Sequence, residues 1–301
     1  MLIRHASWIA MLSPRIATSL VLVVACSLGF SLPPAAAHEP IDEQIAALEQ
    51  RIDADPRNAA LYLRRGGLES HRGEWQAALA DYDRAGRLDP SLPGLGLARG
   101  RTLLDAGRLR EAREELDRFL VDHPRDAEAW ATRALASRAL GLYRAAAEDF
   151  TRAITAEEEV GRTSPEHYLE RARALASEGG EAVGEALRGL DEGLGRLGPI
   201  PALQLYAIDL EVVRRGYDAA LARLDAVMAQ SPPSGPWLAR RGEVLERAGR
   251  PSDARVAYEQ ALADLASPGR KRRTGASAQL ESQVRAALER LQRQEQAGAE
   301  P

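Results

Sequence analysis

Cysteine, lysine and aromatic residues are scarce in this sequence. Cys26 is the single cysteine among 301 residues, which excludes an intramolecular disulfide framework and a zinc site built from several thiolates. Aromatic residues make up only 5%, so a hydrophobic core must consist mainly of alanine and leucine, which suits closely packed helices. Of the 40 basic residues, only Lys271 is a lysine. This bias indicates a GC-rich, bacterial genome, and we infer no function from it.

The chain also has no excess of positive charge. Its formal net charge is −4, and it becomes two units more negative without residues 1–37, which contain Arg4 and Arg15 but no acidic residue. Such a chain does not attract a polyanion. We interpret the basic run 270–273 as a solvated loop, although its charge is also compatible with acidic lipid or nucleic acid. We therefore expect no nucleic-acid partner.

An uncharged apolar run occupies residues 16–30, with the sequence IATSLVLVVACSLGF. Arg4 and Arg15 precede it, and the small-residue segment SLPPAAA follows it. Basic, apolar and small residues in this order are typical of a secretory signal. We predict that residues 1–37 are a signal peptide cleaved after Ala37, which would make the mature protein periplasmic or secreted.

A second interpretation of the same segment depends on Cys26. The sequence Val23-Val24-Ala25-Cys26 resembles a bacterial lipobox, in which the cysteine is lipidated and becomes the first mature residue. In that case the protein would be a membrane-anchored lipoprotein. We prefer ordinary cleavage because apolar residues continue past Cys26 to Phe30 and Leu32.

Prolines recur at a fixed interval in the next part of the chain. Pro56, Pro90 and Pro124 are each separated by 34 residues, and they end the segments IDADP, GRLDP and VDHP. Proline ends a helix because it lacks the backbone donor and clashes with a continuing helix. Between the prolines, two helical stretches flank a glycine each time. The spacing therefore predicts a repeated pair of helices.

This pattern resembles the tetratricopeptide repeat (TPR) family, whose 34-residue helix-turn-helix unit has small residues at positions 8, 20 and 27. With Ala59 as position 1, the first repeat has Gly66, Ala78 and Ala85 at these three positions. Nine of the twelve aromatic residues after residue 37 fall at positions 4, 17 and 24, where large rings fill the space between helices. The resemblance implies an all-α fold, a right-handed superhelical solenoid.

Six repeats cover residues 59–266, and two of them are irregular. We expect a four-residue insertion at 161–164, between the third and fourth repeats, and a two-residue insertion around Gly179 and Gly180. Residues 38–58 and 274–296 have apolar stripes at helical spacing and are predicted as an N-terminal capping helix and a C-terminal solvating helix. The repeats are predicted at 59–92, 93–126, 127–160, 165–200, 201–234 and 235–268.

Arginine occupies position 7 in five repeats, where the family normally has an apolar residue. In the first three repeats an acidic residue follows sixteen positions later. We predict semi-buried, bidentate ion pairs that join the two helices of a repeat. Arg171 and Arg241 lack this acid, and in the fifth repeat Ala207 and Arg223 replace both partners. The predicted structural pairs are Arg65 with Asp81, Arg99 with Glu115, and Arg133 with Asp149.

The resemblance also implies a concave groove, lined by the first helix of each repeat, that binds other proteins through an extended or helical segment. Tyr206 is the aromatic residue in this set that the packing pattern does not use. It is either a partner contact or a packing residue, if the first helix of the fifth repeat is shifted in register. The candidate groove residues are Arg101, Thr132, Arg138, Leu169, Arg173, Tyr206, Asp209 and Glu243.

No motif in the sequence indicates catalysis. The histidines lie on separate turns without metal-ligand spacing, and we find no nucleophile elbow or phosphate-binding loop. The residues outside the repeats are too few for a catalytic domain. We predict a protein-interaction scaffold of the bacterial envelope, without enzymatic activity, cofactor or metal. The alternative is a lipid-anchored component of an outer-membrane or membrane-associated assembly.

Overall fold

The computed structural model describes residues 40–230, 234–267 and 275–299, and these form fourteen α-helices and no strand. The signal segment with Cys26 and the basic run 270–273 lie outside the described residues. The helices are α1 (Ile41–Ala54), α2 (Ala59–His71), α3 (Trp75–Leu88), α4 (Leu95–Asp105), α5 (Leu109–Asp122), α6 (Ala127–Ala139), α7 (Tyr143–Glu159), α8 (Pro165–Glu178), α9 (Ala182–Leu197), α10 (Pro201–Val213), α11 (Tyr217–Gln230), α12 (Gly235–Arg247), α13 (Pro251–Leu265) and α14 (Gly275–Ala299).

The described helices fall into two compact units, one with α1–α11 and one with α12–α14. In the first unit, α2 packs on α3, α4 on α5, α6 on α7, α8 on α9 and α10 on α11, and α1 packs on α2. In the second unit, α12 packs on α13, and α13 also contacts α14. Each unit is therefore built from helical hairpins joined by short turns.

Small residues let the two helices of a pair approach closely. A Cβ atom added to Gly66 of α2 would lie 2.7 Å from Cε1 of Tyr82 in α3. The same contact recurs in the second unit, where a Cβ on Gly242 would lie 2.5 Å from the ring of Tyr258. Both tyrosines are buried. The glycine at position 8 thus gives space to the ring at position 24, as the repeat pattern predicts.

The turn inside a pair usually contains a left-handed residue. Gly73, Gly107, Gly141 and Gly249 occupy the same position of their repeats, with φ between 73° and 83°. Glycine suits this conformation because it has no Cβ atom to clash with the backbone. In the fifth repeat the position is Arg215, with φ of 61°. It is the one non-glycine residue with positive φ among the described residues.

The irregular segments of the sequence fall between helices. In the third repeat Glu158 stands at the position of the closing proline, and α7 extends to 17 residues before residues 160–164 connect it to α8. Gly179 and Gly180 lie between α8 and α9, both with positive φ. The added residues therefore lengthen connections rather than interrupt helices.

The helices at the ends of the chain bury one face each. Ile45, Leu48 and Ile52 of α1 are buried, and the rest of α1 is mostly exposed and polar. In α14, the buried residues include Leu280, Val284, Ala287 and Leu291, on the stripe that the sequence pattern indicated. Both helices thus present a polar outer surface, which prevents an apolar face at the end of an array.

Candidate partner-binding groove

Arginines at position 7 connect helices in the first three pairs. The guanidinium of Arg65 donates from Nε and Nη2 to both carboxylate oxygens of Asp81, each at 2.7 Å. Arg133 makes the same two-bond contact with Asp149, at 2.8 and 2.6 Å. The carboxylates of Asp81 and Asp149 are buried, whereas each arginine is partly exposed. Hydrogen bonding to Asp81 raises the pKa of Arg65 above its ordinary value, so this guanidinium stays charged.

Each of these arginines also reaches an acid sixteen residues before it, which we did not predict. Arg133 donates to Asp117 of α5 at 2.5 Å, and Nη1 of Arg65 lies 4.0 Å from Glu49 of α1. Arg99 bonds to Asp83 of α3, but its Nε lies 3.7 Å from Glu115, so the bidentate hydrogen bonding predicted for Arg99 with Glu115 is not formed. These second partners could have been recognised in the sequence, because an acidic residue recurs at register position 25 of the repeats. We call this series of contacts the arginine ladder.

The ladder changes its form in the fourth and fifth pairs. Arg171 was expected to have no acid, yet it donates to Glu192 at 2.6 Å. The fifth pair was expected to lose both partners, but Arg223 of α11 bonds to Asp191 at 2.5 Å and lies 3.5 Å from Glu211 of α10. The basic residue has moved to the second helix and the acid to the first. Spacing of sixteen residues alone could not reveal this exchange.

Three of the candidate groove residues lie around a buried acid. Glu170 of α8 accepts a hydrogen bond from Arg173 of the same helix, and its Oε2 lies 3.3 Å from Nε of Arg138 in α6. The Glu170 side chain is only 9% exposed, against 38% for Arg138. Sequence reasoning did not select Glu170, although it has register position 6, the same as Tyr206. We call Arg138, Glu170, Arg173 and Tyr206 the groove cluster.

Tyr206 completes this cluster from α10. Its ring centroid lies 5.9 Å from the guanidinium carbon of Arg173, within the range of a cation–π contact. The ring is half-buried against the apolar core formed by α7–α10. Burial raises the pKa of the Tyr206 hydroxyl above its ordinary value, so the hydroxyl stays neutral and can donate a hydrogen bond. Tyr206 therefore packs on the core with one side and leaves part of the ring accessible.

The remaining candidates differ in how much surface they offer. Arg101 is exposed and pairs with Glu128 at 2.5 Å, across the first helices of two repeats. Thr132 and Leu169 are each only 6% exposed, and the Thr132 hydroxyl donates to the Glu128 carbonyl oxygen, so neither presents much surface to a partner. Asp209 is exposed on α10. Glu243 lies on α12, in the second unit, where it pairs with Arg240 at 2.5 Å.

A cavity of about 700 Å³ lies along the first helices of the second and third repeats. Arg101 and Thr132 line it, and the connection after α7 contributes Val160 and Arg162. Val160 is 67% exposed, which is unusual for an aliphatic side chain beside a cavity. The site therefore combines apolar surface with charged residues that are mostly paired within the protein.

Metal binding and membrane spanning have no support in the described residues. Over 40–230, 234–267 and 275–299, no group of three or more histidine, cysteine, aspartate or glutamate residues is arranged to hold a metal ion. None of the helices in these ranges is both long and apolar enough to cross a membrane.

Comparison with known families settles the nature of the repeats. The sequence profile described as tetratricopeptide repeat matches residues 43–93, 97–159 and 207–270, more than half of the chain. The chain belongs to the tetratricopeptide repeat family. This confirms the family predicted from the prolines and small residues, and it supports a scaffold for protein–protein interaction.

Known proteins resemble the chain over part or most of its length. DnaJ homolog subfamily C member 3 of Rattus norvegicus is 30% identical over 128 residues, which are 39% of this chain and 25% of the rat protein. The match thus spans a quarter of that relative's length.

Two solved structures show the same fold. The C-terminal part of a TPR repeat-containing protein from Cytophaga hutchinsonii has a TM-score of 0.60 and 13% identity, over 82% of this chain and 94% of that one. A tetratricopeptide repeat protein from Parabacteroides merdae has a TM-score of 0.51 and 18% identity, over 81% and 92% of the two chains. At this identity they show the fold alone, and they confirm the all-α TPR solenoid.

Proposed function

We propose that this TPR protein is an exported, non-catalytic scaffold of the bacterial envelope that holds a segment of a partner protein along the first helices of its third to fifth repeats. The single observation that supports this most is the groove cluster. Side chains from α6, α8 and α10 meet there, and each comes from a different repeat. A segment lying across three first helices would contact all of them.

Glu170 prepares the cluster for binding. Its buried carboxylate is hydrogen-bonded to Arg173 and forms an ion pair with Arg138 without a hydrogen bond, so Arg173 in particular has little side-chain freedom left to lose when a partner binds. The exposed parts of these guanidiniums still offer donors to the carbonyl or carboxylate oxygens of a partner. Glu170 is therefore a positioning residue in this proposal.

Apolar surface beside the cluster favours a peptide or helical segment over a purely charged ligand. Leu205 of α10 is 40% exposed next to Tyr206, and the 700 Å³ cavity, which no residue of the cluster lines, presents Val160 further along the first helices. Apolar side chains of an extended or helical segment would pack against these exposed apolar residues. This proposal assigns no catalytic residue to the protein.

The groove can be tested by affinity capture from envelope extracts. We expect the variant with Tyr206→Ala and Arg173→Glu to lose partners that the wild type retains. A matched control for the charge reversal is Arg110→Glu, which changes an exposed arginine of α5, a second helix away from the cluster. If both variants captured the same proteins as the wild type, the groove would not be the binding surface.

Export is proposed from the sequence of residues 1–37, and the alternative is anchoring through Cys26. Growth with radioactive palmitate separates them. A labelled protein whose label disappears in Cys26→Ser would establish the lipid-anchored form and its membrane assembly. An unlabelled protein in the periplasmic fraction with His38 as its first residue would support cleavage after Ala37.

A further inference from the structure

The turns of the fourth and fifth repeats border a second cavity, of about 630 Å³. None of the candidate groove residues lines it. Its apolar lining comes from Val183 and Gly184 of α9, Gly180 of the preceding turn, and Val213 at the end of α10. Val213 is 69% exposed. The two-residue insertion of the fourth repeat therefore lies beside an open apolar surface.

Backbone strain lies next to this cavity. Arg215 adopts φ of 61° at the turn position where four other repeats have glycine. A non-glycine residue is disfavoured there, because its Cβ atom approaches the backbone. Gly216 is the following residue, so glycine is present one position too late to relieve the strain. Strain of this kind persists at sites where the side chain itself has a use.

The charges around the cavity leave arginines available. Glu185 accepts hydrogen bonds from Arg144, the shorter at 2.5 Å, so its charge is compensated. Glu181 lies at the N-terminus of α9, where the helix dipole favours negative charge. Arg214 also lines the cavity, and it donates to Glu211, so its charge is compensated too. Arg188 lines the cavity near Glu185, and Arg215, next to Arg214 in the chain, is exposed. Neither Arg188 nor Arg215 lies within ion-pair distance of an acid in the part of the chain that the structure describes. Against these two arginines stands Glu181, so the uncompensated charge beside the cavity is positive and favours an acidic ligand.

We propose that this cavity is a second docking site, which takes an acidic segment of a partner protein with an aliphatic side chain. The aliphatic side chain would lie between Val183 and Val213, and flanking carboxylates would pair with Arg188 and Arg215. Pairing of Arg215 with a carboxylate of the partner would then explain why the turn has a strained arginine instead of glycine. This site is separate from the groove cluster and extends the proposed function.

A blocking variant follows from the local geometry. A Cβ atom on Gly184 would meet only Nη1 of Arg188, at 3.7 Å, so a side chain can start there without meeting the backbone, and Gly184→Leu adds bulk to the lining of the cavity. Gly195→Leu is the matched control, because Gly195 is an exposed glycine of the same helix with nothing within 4 Å of an added Cβ. Gly184 is the third residue of α9 and Gly195 the third from its end, and both changes replace glycine with a stronger helix former. Thermal unfolding of both variants verifies that they fold.

The probe is a displayed library of random dodecapeptides, selected on the full chain and counter-selected on Gly184→Leu. We expect the surviving peptides to share an aliphatic residue flanked by aspartate or glutamate. A synthetic copy of the most frequent peptide should bind Gly184→Leu about tenfold more weakly than wild type, and Arg188→Glu and Arg215→Gly should weaken it as well. Gly195→Leu and the Tyr206→Ala, Arg173→Glu variant should bind it as the wild type does.

Three results would overturn this proposal. In the first, the selection yields no peptide that distinguishes the wild type from Gly184→Leu. In the second, the distinguishing peptides are neutral or basic. In the third, the groove variant with Tyr206→Ala and Arg173→Glu would abolish binding of the acidic peptide, which would place the ligand in the groove. Loss of partners from the groove variant in envelope capture is a separate readout, so either proposal can fail without the other.

Discussion

The first three repeats and the two that follow them use the same residue types in different ways. In residues 59–160, arginines on first helices bind acids on the second helices before and after them, and this arrangement recurs at the repeat interval. In residues 165–230 the arrangement is partly reversed. Arg223 lies on a second helix, and the acids Glu170 and Glu211 lie on first helices, where they form ion pairs with arginines. The family profile matches residues 43–93, 97–159 and 207–270 and leaves out 160–206, which contain the fourth repeat and the start of the fifth.

This difference shows where a repeat protein can specialise. A regular ladder pairs each position-7 arginine with acids of its own and the preceding repeat, so these charges stabilise the stack. After the insertions, Arg173 lies in the groove, where it shares Glu170 with Arg138 of the third repeat, and Arg188 lines the cavity near the turns. Both proposed binding surfaces therefore include residues of the irregular repeats.

The largest expected effect tests packing in the regular part. Gly66→Val would place atoms against the Tyr82 ring and within 3.0 Å of the Ala78 carbonyl oxygen, so it should lower the free energy of unfolding by roughly 2 to 3 kcal/mol. The adjacent Gly67→Ala is the control, since nothing lies within 4 Å of its added Cβ, and it should be neutral or slightly stabilising. Urea unfolding of both variants measures this. Equal stability would show that the glycine at position 8 is not required for close approach.

The second prediction concerns the ladder. Asp81→Ala leaves the partly buried Arg65 without its two-bond partner and should cost about 2 kcal/mol. Asp83→Ala removes an acid that is 48% exposed and pairs with Arg99, and it should cost less than about 1 kcal/mol. Thermal unfolding compares the two variants. If Asp81→Ala left the melting temperature unchanged, the ladder would not contribute to stability.

Much of the regular part could be predicted from the sequence, because its signals are local and periodic. The interval between Pro56, Pro90 and Pro124 and the small residues at fixed positions indicate helix pairs and their contacts. The pairs of Arg65 with Asp81 and of Arg133 with Asp149 follow from a constant spacing within one repeat. The second acid of each arginine was missed because it lies in the preceding repeat.

The irregular part was harder to predict, because its contacts depend on how insertions shift one repeat against the next. Arg171 meets Glu192 at a spacing that no other repeat uses. The role of Glu170 depends on two arginines from different helices, which no motif in the sequence links. Leu169 occupies a groove position in the repeat register, yet it is buried because α8 packs on its neighbours at this residue.

A third prediction compares two glutamates at the same register position. Glu211 of the fifth repeat is 4% exposed and bonds to Arg214 at 2.5 Å, so Glu211→Gln should cost roughly 1 to 2 kcal/mol. In the first repeat, Oε2 of Glu69 is buried without a hydrogen-bond partner. Burial, followed by the nearby charge of Asp81, raises the pKa of Glu69. Glu69→Gln should therefore stabilise the protein near neutral pH, by less than about 1 kcal/mol.

The pH dependence of stability tests this explanation for Glu69. Because folded Glu69 holds its proton more tightly than the unfolded chain does, its contribution to stability is present below the unfolded pKa of about 4.3 and is lost as the pH rises through its folded pKa. The gain from Glu69→Gln should accordingly be present at pH 7 and vanish near pH 4. Melting temperatures across this range measure it. A gain that persisted at pH 4 would mean that ionisation of Glu69 is not the cause.

The smallest expected effect concerns the strained turn. Arg215→Gly removes a Cβ atom from a left-handed residue but also gives the unfolded chain more freedom, so the net stabilisation should be only about 0.5 to 1 kcal/mol. Arg214→Gly is the control, because Arg214 has ordinary backbone geometry and bonds to Glu211, so its loss should destabilise the protein. Urea unfolding shows whether each change raises or lowers the free energy of unfolding.

If Arg215→Gly were more stable than the wild type and still lost the acidic peptide, the fifth repeat would have kept its arginine for binding at the expense of stability. A destabilised Arg215→Gly would instead mean that the side chain supports the turn, and the strain would then no longer point to a binding site.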